Sequence, residues 1–419
     1  KTLLIEEKEL GGVCLNEGCI PTKTLLNSAK LYTHGLEAEQ FGVSFENPRF
    51  DLSAAMKWKE KVIQTLVKGV AYQMKRHGVE VVKGRGIFVD RNTIEAEGTR
   101  YTGKNIIIAT GSSPMIPPIP GAEGDKVLTS SEILQIEKLP GRLAVIGGGV
   151  IGMEFASFFS SFGKEVHVIE MLDEILPTMD GELSKLMRRE MKGTVEFHLG
   201  SKVVSIDGGK VTYETGGETQ SLEADIVLMS VGRRPNVENN GFEKIGLDFT
   251  PKGVVVDEKM RTNLPGIYAV GDVNGKSLLA HSASRMGDVA AAVISGGDDR
   301  MRYHAIPWVV YTQPEAAGTG LTEAEAEAKE IAVESASLPM RANGRFLAEN
   351  GNKSGICKVV TAADTGVLLG VHLLGGVSSE IIYGASAMIE AELRVKDIRE
   401  VVFPHPTVAE VIKDTLWEL

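Results

Sequence analysis

The apolar run Leu143-Ala144-Val145-Ile146 empties directly into Gly147-Gly148-Gly149-Val150-Ile151-Gly152, and the chain becomes strand-like again at Glu165 to Ile169, with Glu170 at the end. No other feature restricts the fold so far. A buried strand, a Gly-x-Gly-x-x-Gly turn, a helix and a second parallel strand make a unit in which glycines permit a tight turn and bring a pyrophosphate close to the helix N-terminus. An acid about 20 residues further on accepts ribose hydroxyls. Gly147, Gly149, Gly152 and Glu170 are the candidates for such a dinucleotide site. A glycine triplet alone is a weak signal; the strand before it and the acid after it give it weight. A carboxylate here repels a 2′-phosphate, and Met171 and Leu172 follow where arginines would serve NADP, so NAD is the expected nucleotide.

Thr2 to Glu6 and Ile106 to Ala109 also read as buried strands, the second followed closely by glycine, which is α/β patterning. Pro114, Pro117, Pro118 and Pro120 form an extended connector before the nucleotide unit. Lys202 to Glu214 and Thr219 to Leu228 read as hairpins broken by glycine pairs, and a strand returns at Ile267 to Val270. Beyond His304 the strands shorten (Trp308 to Tyr311, Gly355 to Thr361, Val367 to Leu374) and alternate with helical runs at Thr322 to Glu330 and Ser379 to Glu392. The expected organisation is α/β: two Rossmann-like nucleotide-binding domains and a C-terminal α+β domain. Its segments are residues 1–113, 114–234, a central segment 235–303 completing the first domain, and 304–419.

A net charge of −11, spread along 419 residues, argues against nucleic acid or an anionic membrane as partner. No apolar run approaches the roughly 18 residues of a spanning helix, and no charged-then-apolar leader opens the chain, so a cytoplasmic protein is expected. Three cysteines are too few for a disulfide scaffold. Cys357, in the strand-like run Ile356 to Thr361, reads as a small buried apolar side chain.

The other two cysteines stand in Gly11-Gly12-Val13-Cys14-Leu15-Asn16-Glu17-Gly18-Cys19-Ile20-Pro21-Thr22-Lys23. Residues five apart on a regular helix lie about 8 to 9 Å apart, whereas a disulfide rarely tolerates more than about 7 Å. A helix here must therefore be distorted, and Gly18 supplies the freedom. Gly11 and Gly12 let the backbone approach something large and flat, and a helix N-terminus lowers a thiolate pKa. A bare pair at this spacing reads equally well as two buried neighbours; the flanking residues tip the reading to redox chemistry.

Those residues resemble the redox segment of the pyridine nucleotide-disulphide oxidoreductases, Gly-Gly-Thr-Cys-Leu-Asn-x-Gly-Cys-Ile-Pro-Ser/Thr-Lys. The resemblance implies that Cys14 is the thiol exchanging with substrate, that Cys19 lies against a flavin, that Gly12 borders FAD and that Lys23 sits beside flavin N5. Glu154 matches the family glutamate paired with that lysine. Ile107 to Ser112, with Thr110 and Gly111, and Thr262 to Val273, with Asp272, resemble two further FAD segments. Glu6 matches the acid on the adenosine ribose. Leu279 and Ala280 open a helix aimed at the flavin pyrimidine, Gly232 falls on the nicotinamide side, and His281 is read as structural. Phe403-Pro404-His405-Pro406-Thr407-Val408-Ala409-Glu410 resembles the motif that supplies the family's catalytic histidine and its orienting glutamate, in a homodimer where that histidine faces the other subunit's redox pair.

The implied activity is oxidation of protein-bound dihydrolipoamide through a Cys14–Cys19 disulfide and FAD, with reduction of NAD. The implied partner is a lipoyl domain of a 2-oxo acid dehydrogenase or glycine cleavage complex, and no metal site is expected. One rival is a glutathione- or mercuric-type reductase; Glu170 and the lack of a cysteine pair near Leu419 speak against it. The other is a flavin-free dimeric assembly subunit, suggested by the family's opening FAD loop having no counterpart here. Lys1 begins inside what should be the second strand, which reads as a piece of a longer protein, and the retained Cys14, Cys19, His405 and Glu410 argue against that rival.

Overall fold

A computed structural model describes residues 1–419 as a mixed α/β chain. The nucleotide motif forms the strand Arg142–Ile146, the helix Val150–Ser160 and the strand Glu165–Ile169. These belong to a five-stranded parallel sheet ordered Glu196–His198, Glu165–Ile169, Arg142–Ile146, Ile226–Met229, Val127–Leu128. Leu143, Ala144 and Val145 are wholly buried, as a central parallel strand covered on both faces must be, and the sequence there is accordingly a continuous apolar run. Strand order reverses between Arg142–Ile146 and Ile226–Met229. The crevice at their carboxyl ends is where such sheets bind ligands.

The meander Ser201–Asp207, Lys210–Thr215, Glu218–Glu223 is attached to this sheet's chain path. The run Thr219 to Leu228, expected as one hairpin segment, is two elements: Glu218–Glu223 closes the meander and Ile226–Met229 enters the parallel sheet. Asp225 makes the corner, its carboxylate accepting the amide hydrogens of Gly141 at 2.8 Å and Arg142 at 2.9 Å. Apolar alternation cannot show such a departure because both elements are strands.

Nearer the start, Leu3–Glu6 pairs in parallel with Glu80–Lys83, and Ile106–Ile108 with Ile267–Ala269. One apolar cluster joins Phe88 and Ile108 to Phe242, Met260, Tyr268 and Met286, so residues either side of the five-stranded sheet share a core. The connectors into and out of that sheet lie side by side, Ser112–Pro114 antiparallel to Arg233–Pro235. Helix Cys19–Glu37 buries Leu25, Leu26 and Ala29 in the cluster that holds Phe155 and Phe158 of the nucleotide helix. This contact brings the cysteine segment to the nucleotide unit.

The last third is an antiparallel sheet ordered Trp308–Val310, Ala316–Gly320, Leu368–Leu374, Ile356–Ala362, Val333–Pro339, backed by helices Ser378–Glu390 and Glu410–Leu416. Two of these strands gave no sequence signal. Ala316–Gly320 is built from small residues because the Trp308 ring covers it: a Cβ on Gly318 would stand 2.3 Å from Trp308 Cζ2. Val333–Pro339 is the sheet's half-exposed edge. Cys357 is fully buried, and burial pushes its thiol up to about 12. No helix is long and apolar enough to cross a membrane.

Candidate active site

The break expected between the cysteines is present. A short helix, Gly12–Asn16, carries Cys14; Gly18, at φ −143° and ψ −107°, lies outside the helical region, and Cys19 opens the long helix Cys19–Glu37. Gly11 turns the chain in at φ +93°, where a side chain would also strike Leu15 Cδ1 at 2.3 Å. Both cysteines are half-buried free thiols joined by a hydrogen bond. The Cys14 thiol donates, which lowers Cys19 to about 6; the Lys23 cation and the backbone amide add to the effect while burial opposes it. The same bond holds Cys14 far above the ordinary thiol range. Of the two, Cys19 is the one favoured as the thiolate and Cys14 the one that keeps its proton.

Lys23 follows Cys19 by one helical turn and so shares its face. Its Nζ reaches Glu154 Oε1 at 3.0 Å and Oε2 at 2.8 Å, and lies 4.8 Å from the centroid of the Tyr311 ring. Glu154 is buried in the nucleotide helix and also accepts the Tyr311 amide hydrogen at 3.1 Å. Removing Lys23 would leave a buried carboxylate without its counter-charge.

The glycines of the nucleotide loop divide into two kinds. A Cβ on Gly147 would meet Ser230 O at 2.6 Å, and one on Gly152 would meet Gly147 O at 2.1 Å, so both are required for the turn and for helix-to-strand packing. Gly149 has nothing within 4 Å, at the N-cap of a helix whose first amides receive no side-chain cap. That space suits a phosphate. Glu170 is buried against the loop, its Oε2 accepting from Gly148 N at 2.6 Å and its Oε1 from Leu172 N at 2.8 Å. Each oxygen keeps a lone pair for a ribose hydroxyl.

At the end of Ile267–Ala269, Asp272 Oδ2 accepts the Ser112 hydroxyl at 2.6 Å, and Arg233 donates to Ser112 Oγ at 2.8 Å and Ser112 O at 2.7 Å. Thr110 bonds Asn236 O at 2.9 Å. Gly12 and Gly111, both at positive φ, have no atom within 4 Å of an added Cβ, and Gly232, at φ +121°, has only Met115 Cε at 3.8 Å. Helix Ala280–Ile294 starts after Leu279 without a side-chain cap, and Glu6 ends its strand accepting from Lys8 N at 2.8 Å. Open glycine cradles, a strand-end acid and an uncapped helix N-terminus fit FAD. His281 bonds Pro307 O at 2.8 Å, tying two segments together.

His405 Nδ1 lies 2.9 Å from Glu410 Oε1, and Glu410 Oε2 accepts the Thr407 amide hydrogen at 2.8 Å. That amide, with the imidazole, holds Glu410 below the usual carboxylate range. An ionised carboxylate only accepts, so the ring carries its hydrogen on Nδ1 and presents Nε2 as a base. The His405 side chain is 82% exposed, and no hydrogen bond or ion pair joins it to Cys14 or Cys19 within the chain.

Residues 1–287 match the family model described as pyridine nucleotide-disulphide oxidoreductase, and residues 306–416 match its dimerisation domain. The chain belongs to the pyridine nucleotide-disulphide oxidoreductase family. It is 39% identical to a dihydrolipoyl dehydrogenase of Bacillus subtilis, over 98% of this chain and 89% of that protein. It is 38% identical to the mitochondrial dihydrolipoyl dehydrogenase of Pisum sativum, over 99% and 85%. Among solved structures, the HOCl-induced flavoprotein disulfide reductase of Escherichia coli superposes with a TM-score of 0.87 at 27% identity, covering 99% of this chain and 93% of that one. LpdA of Mycobacterium tuberculosis shares the fold with a TM-score of 0.91 at 24% identity, covering 100% and 93%.

For a pyridine nucleotide-disulphide oxidoreductase, then, the fold brings Cys14, Cys19, Lys23 and Glu154 together and keeps His405 and Glu410 as a separate outward pair. Sequence reading missed Arg233 and Tyr311, and gave Ser112 only as the end of the segment Ile107 to Ser112 without a role. Ser112 and Arg233 directly follow the selected Gly111 and Gly232, so position beside those glycines was the available signal; Tyr311 acts through its backbone and ring, which no motif announces.

Proposed function

We propose that the chain is a dihydrolipoyl dehydrogenase, which oxidises a protein-bound dihydrolipoyl dithiol and reduces NAD through FAD and the Cys14–Cys19 couple. The observation that carries this reading is geometric: the Cys14–Cys19 segment stands beside the Lys23–Glu154 ion pair of the nucleotide helix, and the same chain carries an outward His405–Glu410 pair. In the oxidised form, a substrate thiolate attacks Cys14 Sγ and the Cys14–Cys19 bond breaks; Cys19 is the better leaving group because its thiolate is stabilised. The second substrate sulfur then attacks the mixed disulfide and releases Cys14, which leaves the substrate oxidised and the pair reduced by two electrons. His405 takes the substrate thiol proton on Nε2, while Glu410 orients the ring and balances its charge. FAD, when bound, supplies the route by which those two electrons reach NAD. Gly149 and Glu170 would seat the nucleotide, Gly232 borders its nicotinamide end, and Glu6, Gly12, Thr110, Gly111, Asp272, Leu279 and Ala280 would line the flavin.

An exposed base that meets no thiol of its own chain is suited to act on another chain's, so we read the enzyme as a homodimer in which His405 and Glu410 serve the partner subunit's dithiol. A lipoyl domain is the substrate carrier and the cytoplasm the compartment. The division at residues 113/114, 234/235 and 303/304 is part of this reading, supported by the paired connectors and the shared core of residues 88–301. The test is NADH formation by the FAD-loaded protein with dihydrolipoamide as donor. Brisk turnover with NAD and little with NADP is expected; preference for NADPH and glutathione disulfide would assign a reductase instead.

A further inference from the structure

Away from the dithiol, the outer strands of the parallel sheet carry a cluster with no part in the chemistry above. His167 on Glu165–Ile169 and His198 on Glu196–His198 place Nδ1 and Nε2 3.1 Å apart. Glu196 brings Oε2 to 3.5 Å from His167 Nδ1 and Oε1 to 3.8 Å from His198 Nε2.

The hydrogen bonds behind the rings decide what those nitrogens are. His167 Nε2 lies 2.9 Å from Glu165 Oε1, a carboxylate that only accepts, so Nε2 bears the hydrogen and Nδ1 a lone pair. His198 Nδ1 lies 3.0 Å from the Tyr213 hydroxyl, which spends its own hydrogen on Gln220 Oε1 at 3.2 Å. The hydroxyl therefore accepts from Nδ1–H, and His198 Nε2 also bears a lone pair. With these tautomers, two imidazole lone pairs face each other at 3.1 Å beside a carboxylate, an arrangement that a cation between them would satisfy.

We propose that His167, His198 and Glu196 bind a divalent transition-metal ion of the zinc type, with Glu165 and Tyr213 orienting the two rings. Nitrogen and oxygen ligands at about 2.0–2.1 Å in a tetrahedron stand roughly 3.3–3.4 Å from one another; the two nitrogens are 3.1 Å apart, and the nearer Glu196 oxygen to each lies at 3.5 Å (Oε2) and 3.8 Å (Oε1), so a small turn of the exposed carboxylate brings one oxygen to both. Hydrogen bonds from the far side of each ring to a carboxylate and a hydroxyl are the support that metal-binding histidines ordinarily have. Glu196 is exposed, which leaves the fourth position to water. No motif marks the site, because the histidines lie 31 residues apart on neighbouring strands.

The dithiol is itself a metal ligand, so the test is run on protein carrying Cys14→Ser and Cys19→Ser. Titration with Zn²⁺ by calorimetry should find one equivalent bound, and Co²⁺ should give the intense visible absorption of a four-coordinate site. Glu196→Gln, at an exposed position that leaves the fold intact, should weaken Zn²⁺ about tenfold. Tyr213→Phe should weaken it about ten- to a hundredfold, and His198→Ala should abolish it. Absence of Zn²⁺ binding, or binding unmoved by Glu196→Gln and His198→Ala, overturns the proposal and leaves an ordinary N–H···N bond between the rings, with the Tyr213 hydroxyl turned toward His198.

Discussion

The dithiol and the His405–Glu410 pair are held in opposite ways. Cys14 and Cys19 are half-buried where a short helix meets a long one, with Lys23, Glu154 and Tyr311 fixed around them by bonds from three separate parts of the chain. His405 stands 82% exposed; its one partner is Glu410, five residues on, which is held in turn by the Thr407 amide. The first arrangement sets a protonation state in advance. The second sets only a tautomer and a direction, and its basicity is finished by whatever covers it. A single chain thus gathers its dithiol with the groups that set its charge, and leaves its imidazole–carboxylate pair facing outward.

The sharpest way to break that comparison is at the dithiol. Cys14→Ser is expected to abolish oxidation of dihydrolipoamide outright, because Cys19 alone cannot form the Cys14–Cys19 disulfide that accepts the substrate's electrons; residual turnover in the NADH assay would remove Cys14 from the route. His405→Gln should lower turnover by about 10²–10⁴-fold, the usual contribution of a positioned base. Because His405 is assigned to the partner's thiols, mixing Cys14→Ser with His405→Gln subunits should restore one working site in each mixed dimer. A mixture no more active than its parents would place both groups in one chain. Glu410→Gln is expected to cost less, about tenfold, since an amide oxygen can still accept from His405 Nδ1 and hold the ring near its place. An unchanged rate would reduce Glu410 to a structural role.

Legibility followed the same division. The nucleotide loop could be read from Gly147 to Glu170 because backbone geometry forces those residue types into a contiguous stretch. The need for a helix break between Cys14 and Cys19 was readable once the flanking residues marked the two as a redox pair, because a bridge cannot span five residues of regular helix. Lys23 with Glu154 was not: the two are 131 residues apart, and only the family resemblance suggested the pair that the fold brings to 2.8 Å. Ala316–Gly320 and the Asp225 corner escaped for a related reason, since long-range packing chose small residues in one and a hydrogen-bonded turn in the other.

The smallest expected effect is on stability, and its sign distinguishes the two regions. In the reduced protein Cys19 is lowered to about 6 while Cys14 is raised. The folded pair therefore sheds its first proton below the ordinary thiol range and withholds its second above it. Between pH 6 and about pH 8.5 the unfolded chain holds more protons at this pair than the folded one, so stability from the dithiol rises with pH across that window. It is lost as pH falls through 6, and it declines again above the ordinary range, where the unfolded thiols ionise and Cys14 does not. Because the pair is partly open to water, the gain is on the order of 1 kcal/mol rather than the full electrostatic value. A melting-temperature series in reductant should show this rise in the native protein and a flatter curve in Cys14→Ser with Cys19→Ser. The lowered Glu410 acts elsewhere, its contribution disappearing only as pH falls below the carboxylate range. A pH dependence between 6 and 8.5 that survives in the double serine variant would mean that Cys19 is not held as a thiolate, and the asymmetry assigned to the dithiol would go with it.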